Sequence, residues 1–292
     1  MILSVIPPAG LEWLQGSNAG RVWLDAVPRL VRECAAAWDL RLGDPWPDAH
    51  VSVVFPATLA DGSGAVLKVQ FPDRESEHEA SALTRWDGDG VIRVLRHDPE
   101  RRALLLERCV PGTPLSQLEQ DPALDILVGL LPRLWKPAGA PFRPLAEEAA
   151  WWADGLVAGW ERMGRPFERT LVDAALDALR TLPATQGEQV LLHQDVHADN
   201  VLRSRREPWL VIDPKPLVGE REFGVAPIVR SFKLGHGRKH VEHRLDRLAG
   251  DLGLDRERAR LWALAQTVAW SVGDHLEQHL ETARWLLGLA TH

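Results

Sequence analysis

The chain has 292 residues, is 45% hydrophobic and 26% charged, and carries a formal net charge of -7. That balance fits a globular chain with a substantial core, and the acidic excess excludes a general nucleic-acid binder, which needs a basic surface. No run of 18 or more apolar residues marks a membrane span. Cys34 and Cys109 stand far apart, and MILSVIPPAG has no basic segment of the signal-peptide kind, so a reducing cytoplasm is expected.

Val27, Leu30, Val31 and Cys34 recur at helical spacing, which predicts a helix over 24–40. The breakers Gly43-Asp44-Pro45-Trp46-Pro47 follow. Val51–Phe55 and Ala65–Gln70 read as strands joined by the turn signal Asp61-Gly62-Ser63-Gly64. Pro72–Trp86 reads as a helix, and Val91–Leu95 and Ala103–Glu107 as two more strands. Pro111-Gly112-Thr113-Pro114 breaks the pattern. Beyond it helix dominates, with one stripe through Leu145, Ala149, Trp152, Leu156 and Trp160 and another through Val172, Ala175, Leu176 and Leu179. One strand pair is expected there, Val190–Leu192 with Trp209–Ile212. A long helix is expected from Asp255, through Leu261, Leu264, Ala265, Val268, Val272 and Leu276. The fold class is α+β: a β-rich N-terminal lobe over 1–108, a hinge near 107–112 and a helical C-terminal lobe over 109–292.

The strand pair flanks "LLHQDVHADNVLRSRREPWLVIDPKP". His193-x-Asp195 is followed by Asn200, and Asp213 ends the second apolar run. Upstream, Lys68 sits on a strand and Glu79 on the helix after it. This order of parts resembles that of a kinase-type phosphotransferase. Asp195 can accept or orient the proton of an attacking hydroxyl. Asn200 and Asp213 offer the hard oxygen ligands Mg²⁺ prefers. Lys68 can neutralise α- and β-phosphate charge, held by Glu79. The helix period selects Glu79 because it shares a face with Leu83 and Trp86; Glu75 is second, and Glu77 points elsewhere. His193 suits a structural role better than a catalytic one. A zinc or manganese site leaves Lys68 and Glu79 unexplained. Only five of the basic residues are Lys, and Lys68 and Lys215 are the two in or beside apolar strand-like runs.

At these residues the chain resembles the aminoglycoside phosphotransferase group, most nearly its streptomycin 6-kinase and hydroxyurea phosphotransferase family. "LLHQDVHADNVL" is similar to the group's HGDLHxxN motif, and "VIDPKPLVGEREFGVA" to the branch's IDPKP-x-x-G-E segment. "AVLKVQ", "EASALTRWDGDGVIRVLRHD", "ALLLERCVPGTPL" and "LGLDRERARLWALAQTVAWSV" follow its order, so the resemblance runs from about Trp38 to Val272. It implies a two-lobed protein-kinase-like fold, ATP with Mg²⁺, and a small-molecule hydroxyl as acceptor. It implies the roles just given for Lys68, Glu79, Asp195, Asn200 and Asp213, and adenine pairing by backbone groups at Glu107 and Cys109. The chain departs from the pattern in three places. Gln194 stands where the group has Gly, Gly224 where the branch often has Asp, and no Gly-rich phosphate loop is visible near Trp46-Pro47-Asp48-Ala49-His50.

Trp270, Asp274 and Glu277 form an acidic, aromatic wall on the last expected helix, suited to a cationic acceptor. A capping box from Asp274 to Glu277 explains two of the three as well. Trp151 is a further candidate for the wall. The function expected is a cytoplasmic, monomeric kinase acting on a streptomycin-like antibiotic and conferring resistance, with neither nucleic acid nor membrane as partner. A metabolic kinase with another hydroxyl acceptor and an inactive nucleotide-binding relative are the alternatives.

Overall fold

The structure is a computed structural model that describes residues 9–47, 49–271 and 276–289. It falls into two compact units, Met1–Gly112 and Thr113–His292.

In the first unit Ser17 caps helix α1 (Asn18–Ala37), its hydroxyl accepting from Gly20 N at 2.9 Å. The helix therefore starts earlier than 24, a cap the apolar period could not locate. Its buried stripe, Trp23, Val27, Val31 and Cys34, packs on Val53, Phe55, Leu67 and Val69. Each fully buried side chain of this kind contributes about 1.5–3 kcal/mol. The sheet is antiparallel, in the order β1 (Arg41–Leu42), β2 (Ser52–Thr58), β3 (Gly64–Gln70), β5 (Ala103–Glu107), β4 (Val94–Asp98). Lys68 lies in register with Val54 on one side and Leu104 on the other. The β2–β3 turn closes on itself, with Leu59 N bonded to Ser63 O at 2.9 Å and Gly62 at φ +85°, as expected of a hairpin.

Helix α2 covers only Glu79–Trp86, not 72–86. Asp73 explains the difference. Its carboxylate accepts from Glu75 N at 2.7 Å and Ser76 N at 3.1 Å. This side chain supplies the backbone partners a helix would otherwise provide, and so holds 73–76 in a turn.

The second unit contains α3 (Gln120–Leu134), β6 (Arg143–Pro144), α4 (Leu145–Arg162), α5 (Arg169–Thr181), β7 (Gln189–Leu192), β8 (Val201–Arg203), β9 (Trp209–Val211) and β10 (Leu217–Glu220). Two short helices, α6 (Arg221–Gly224) and α7 (Ala226–Val229), precede α8 (Arg238–Leu252), α9 (Arg256–Ala269) and α10 (Leu276–Leu287). The expected strand pair is corrected: β7 pairs with β10, Leu192 opposite Leu217, whereas β9 pairs with β8. The single long terminal helix is also corrected. Asp255 caps α9, accepting from Arg258 N at 3.0 Å, and α9 stops at Ala269 with Trp270 as its C-cap. α9 packs against α5, α7 and α10 and is buried on nearly every side. Among the described residues, no helix is long and apolar enough to cross a membrane.

Candidate active site

Alternation along β3 sends Leu67 and Val69 into the α1 core and Lys68 and Gln70 to the opposite face. Both of the latter reach Glu79: Lys68 Nζ lies 2.6 Å from Oε2, and Gln70 Nε2 donates to the same oxygen at 2.7 Å. Glu79 is 1% exposed and Lys68 5%. The structure thus brings Lys68 to Glu79, the first choice of the helix period. Glu77 is exposed. Removing one member of a buried pair like this costs about 3–5 kcal/mol, because the other charge is left in a low-dielectric site.

In the second unit, the stretch between β7 and β8 is stitched to the one between β9 and β10. Lys215 N donates to His193 O at 3.0 Å and Ile212 N to Asn200 O at 2.9 Å. His193 completes the seam. Its Nε2 donates to Ile212 O at 2.9 Å, while its Nδ1 accepts from Asp195 N at 3.3 Å. One nitrogen donates and the other accepts, so the ring is neutral. Burial pushes its pKa down to about 4. His193 is a structural bridge.

Asn200 Nδ2 donates to Asp195 O at 2.9 Å, so a metal at this residue would be met by Oδ1. Asp213 lies close enough to Asp195 and His193 for its charge to act on both. A carboxylate and an amide oxygen fit Mg²⁺, which takes few protein ligands and keeps water and phosphate for the rest. Among the described residues, no three His, Cys, Asp or Glu side chains gather as a metal site of another kind.

Gln194 and Asp213 both hold left-handed backbone, at φ +67° and +59°. Asp tolerates this region; Gln does so at a cost of about 1–2 kcal/mol. The usual Gly at position 194 is thereby explained. The Gln194 side chain is 1% exposed, and neither its Oε1 nor its Nε2 has a hydrogen-bond partner. Gly224 is buried, and a Cβ there would meet Trp135 Nε1 at 3.1 Å and Leu192 Cδ2 at 3.3 Å. Trp135 fills the space a side chain at 224 would need.

Asp195 is buried and faces three cationic or titratable groups. Lys215 Nζ is 3.3 Å from Oδ2, Arg230 Nη2 is 3.7 Å from Oδ1, and His197 Nε2 is 3.9 Å from Oδ2. Burial works to raise its pKa, but the charges of Lys215, His197 and Arg230 outweigh it and hold the carboxyl below its ordinary value. Sequence reasoning assigned no role to Lys215 or Arg230. The position of Lys215 beside an apolar run was the one signal, and Arg230 offered none. Trp270 stands here too, with both cations over its ring. Trp152, Phe223 and Trp262 continue from it as a chain of ring contacts with centroid spacings of 6.0, 6.0 and 5.3 Å. Glu277 is exposed on α10, and Trp151 is exposed on α4. Asp274 lies outside the described residues. Glu107 ends β5 with its N–H bonded to Arg93 O at 2.9 Å, and Cys109 follows, half-buried and in no disulfide.

Residues 38–274 match the family model described as aminoglycoside/hydroxyurea antibiotic resistance kinase. The chain is 40% identical to a hydroxyurea phosphotransferase of Kitasatospora aureofaciens, over 97% of this chain and 86% of that one. It is 36% identical to a streptomycin 6-kinase of Streptomyces griseus, over 89% and 88%. Among solved structures, the choline kinase LicA of Streptococcus pneumoniae aligns with a TM-score of 0.64 at 12% identity, over 90% of this chain and 99% of that one. An aminoglycoside phosphotransferase APH(4)-Ia in complex with ADP and hygromycin B aligns with a TM-score of 0.59 at 16% identity, over 88% and 95%. The fold is the protein-kinase-like one.

Proposed function

The chain belongs to the aminoglycoside/hydroxyurea antibiotic resistance kinases, and from that premise we propose that it transfers the γ-phosphoryl group of ATP to a hydroxyl of a streptomycin-like antibiotic, conferring resistance. The observation that carries the reading is the buried Lys68–Glu79 pair, found with an Asp195, Asn200 and Asp213 set built on one stitched seam. Few side chains suffice because phosphoryl transfer is mostly positioning and charge neutralisation.

Lys68, fixed by Glu79 and Gln70, neutralises phosphate charge. Asn200 and Asp213 would hold Mg²⁺, which would supply positive charge to offset that of the phosphates. Asp195 accepts a hydrogen bond from the acceptor hydroxyl and orients its oxygen for attack. Its depressed pKa favours orientation over early proton abstraction. Glu107 pairs with adenine through its carbonyl, its N–H being bonded to Arg93, and Cys109 through its N–H. Glu277 is the described carboxylate assigned to a cationic acceptor, together with Asp274. The Trp270 ring already faces two cations of the protein. In this reading the enzyme works as a cytoplasmic monomer, without nucleic acid or membrane.

The test is ADP release over a panel of streptomycin, other aminoglycosides and hydroxyurea, with wild type and Asp195→Asn compared. Streptomycin is expected to drive release in the wild type, and the variant to lose about 10²- to 10⁴-fold in rate. Release with hydroxyurea alone would move the acceptor to a smaller hydroxyl. No release with any of them would sink the proposal.

A further inference from the structure

Two permanent cations stand at the two oxygens of Asp195. Lys215 Nζ makes the 3.3 Å contact, whereas the Arg230 contact at 3.7 Å is an ion pair beyond hydrogen-bonding distance. Both cations also lie over the indole of Trp270, Lys215 Nζ at 5.0 Å and Arg230 Cζ at 4.8 Å from the ring. An aromatic face at this range attracts a cation through the ring quadrupole. Arg230 Nε donates to Gln266 Oε1 at 3.3 Å, and Gln266 Nε2 donates to the carbonyl of Gln194 at 3.2 Å. The arginine is thereby tied to the peptide that precedes Asp195. Trp270 is braced edge-on by the buried Trp152. Asp213, His197 and the neutral His193 also act on Asp195.

We propose that Lys215 and Arg230, seated on Trp270, bind the γ-phosphoryl group of ATP and hold Asp195 aimed at the acceptor, an inference that rests on the kinase function above. The acceptor oxygen forms its bond to the γ-phosphorus as the bond from that phosphorus to the β–γ bridging oxygen breaks. The electron pair of the broken bond leaves on ADP, and the hydroxyl proton passes to Asp195. Asp195 contacts the attacking oxygen, so cations beside Asp195 stand next to the oxygens of the transferring group. Charge spreads over those oxygens in the loose transition state. Cations fixed beforehand by Trp270 and Gln266 stabilise that charge without having to reorganise. The pair thus supplies γ-phosphate contacts for which the sequence offers no Gly-rich loop.

Calorimetric titration of MgATP and, separately, MgADP tests this without any acceptor. Wild type should bind both. Lys215→Met and Arg230→Met should each weaken MgATP by about 10-fold, the size of one charge-assisted hydrogen bond, and leave MgADP unchanged. Lys215→Arg should restore MgATP binding. Trp270→Leu should reproduce the selective loss, and Trp270→Phe should not. Equal weakening of MgATP and MgADP, or no weakening of either, in folded Lys215→Met and Arg230→Met overturns the proposal. A wild type that binds neither nucleotide fails at the earlier step: the kinase function falls, and this inference with it.

Discussion

His193 is held neutral in a buried seam, while an unfolded chain would leave it near its ordinary pKa. The sign follows from linkage. A histidine whose folded pKa is lowered from 6.5 to about 4 binds more protons when unfolded, so stability rises with pH through that window. Its contribution is complete above about pH 6.5 and is lost as pH falls toward 4, up to about 3 kcal/mol at the standard conversion. Urea midpoints between pH 7 and 4 should therefore drop less steeply in His193→Gln than in wild type. Parallel slopes would remove His193 from the acid response. Asp195, with its lowered pKa, acts in the same direction at lower pH, so the two residues must be separated by variants and not by the profile alone.

At the scale of elements, the loop before Asp195 and the turn before α2 both place functional groups by departing from regular structure. The Asp73 carboxylate stops the helix from beginning at 73 and delivers Glu79 in its first turn. Asp73→Ala should cost about 1 kcal/mol, the usual loss for a capping side chain. It should also speed amide exchange at Glu75 and Ser76; protected amides there would show that the turn forms without the carboxylate. The Gln194 loop carries a different cost, a left-handed non-glycine residue with an unpartnered amide. That local strain sits directly before Asp195, where backbone direction sets the aim of the carboxylate.

For the whole molecule, the test is whether ligand binding stabilises the fold. MgATP that binds the native state alone should raise the melting temperature, by an amount equivalent to roughly 2.7 kcal/mol at a hundredfold excess over Kd. Lys68→Ala and Asp213→Ala should shrink that shift more than Asp195→Ala. In the proposed function the first two groups serve phosphate and metal, while Asp195 serves the acceptor. Equal losses in all three would mean that these roles are misassigned, and no shift in wild type would remove the nucleotide from the function.

What the sequence by itself determined lies within short reach along the chain. The apolar run Ala65–Gln70 placed Lys68 on a strand, helical period chose Glu79, and the HxD…N…D order named Asp195, Asn200 and Asp213. These signals are spacings and residue order along the chain, which can be read before any packing acts. Tertiary structure decided the rest. β7 took β10 as its partner and left β9 to β8, because strand pairing is settled by loop closure and by what each strand can bury. Gly224 lost its side chain to Trp135, a packing relation with no local trace. Lys215, Arg230 and Trp270 come from a loop, a helix end and another helix end, and no spacing rule links them. They meet at Asp195 because a buried carboxylate is stable as an anion only where the fold brings cations to it.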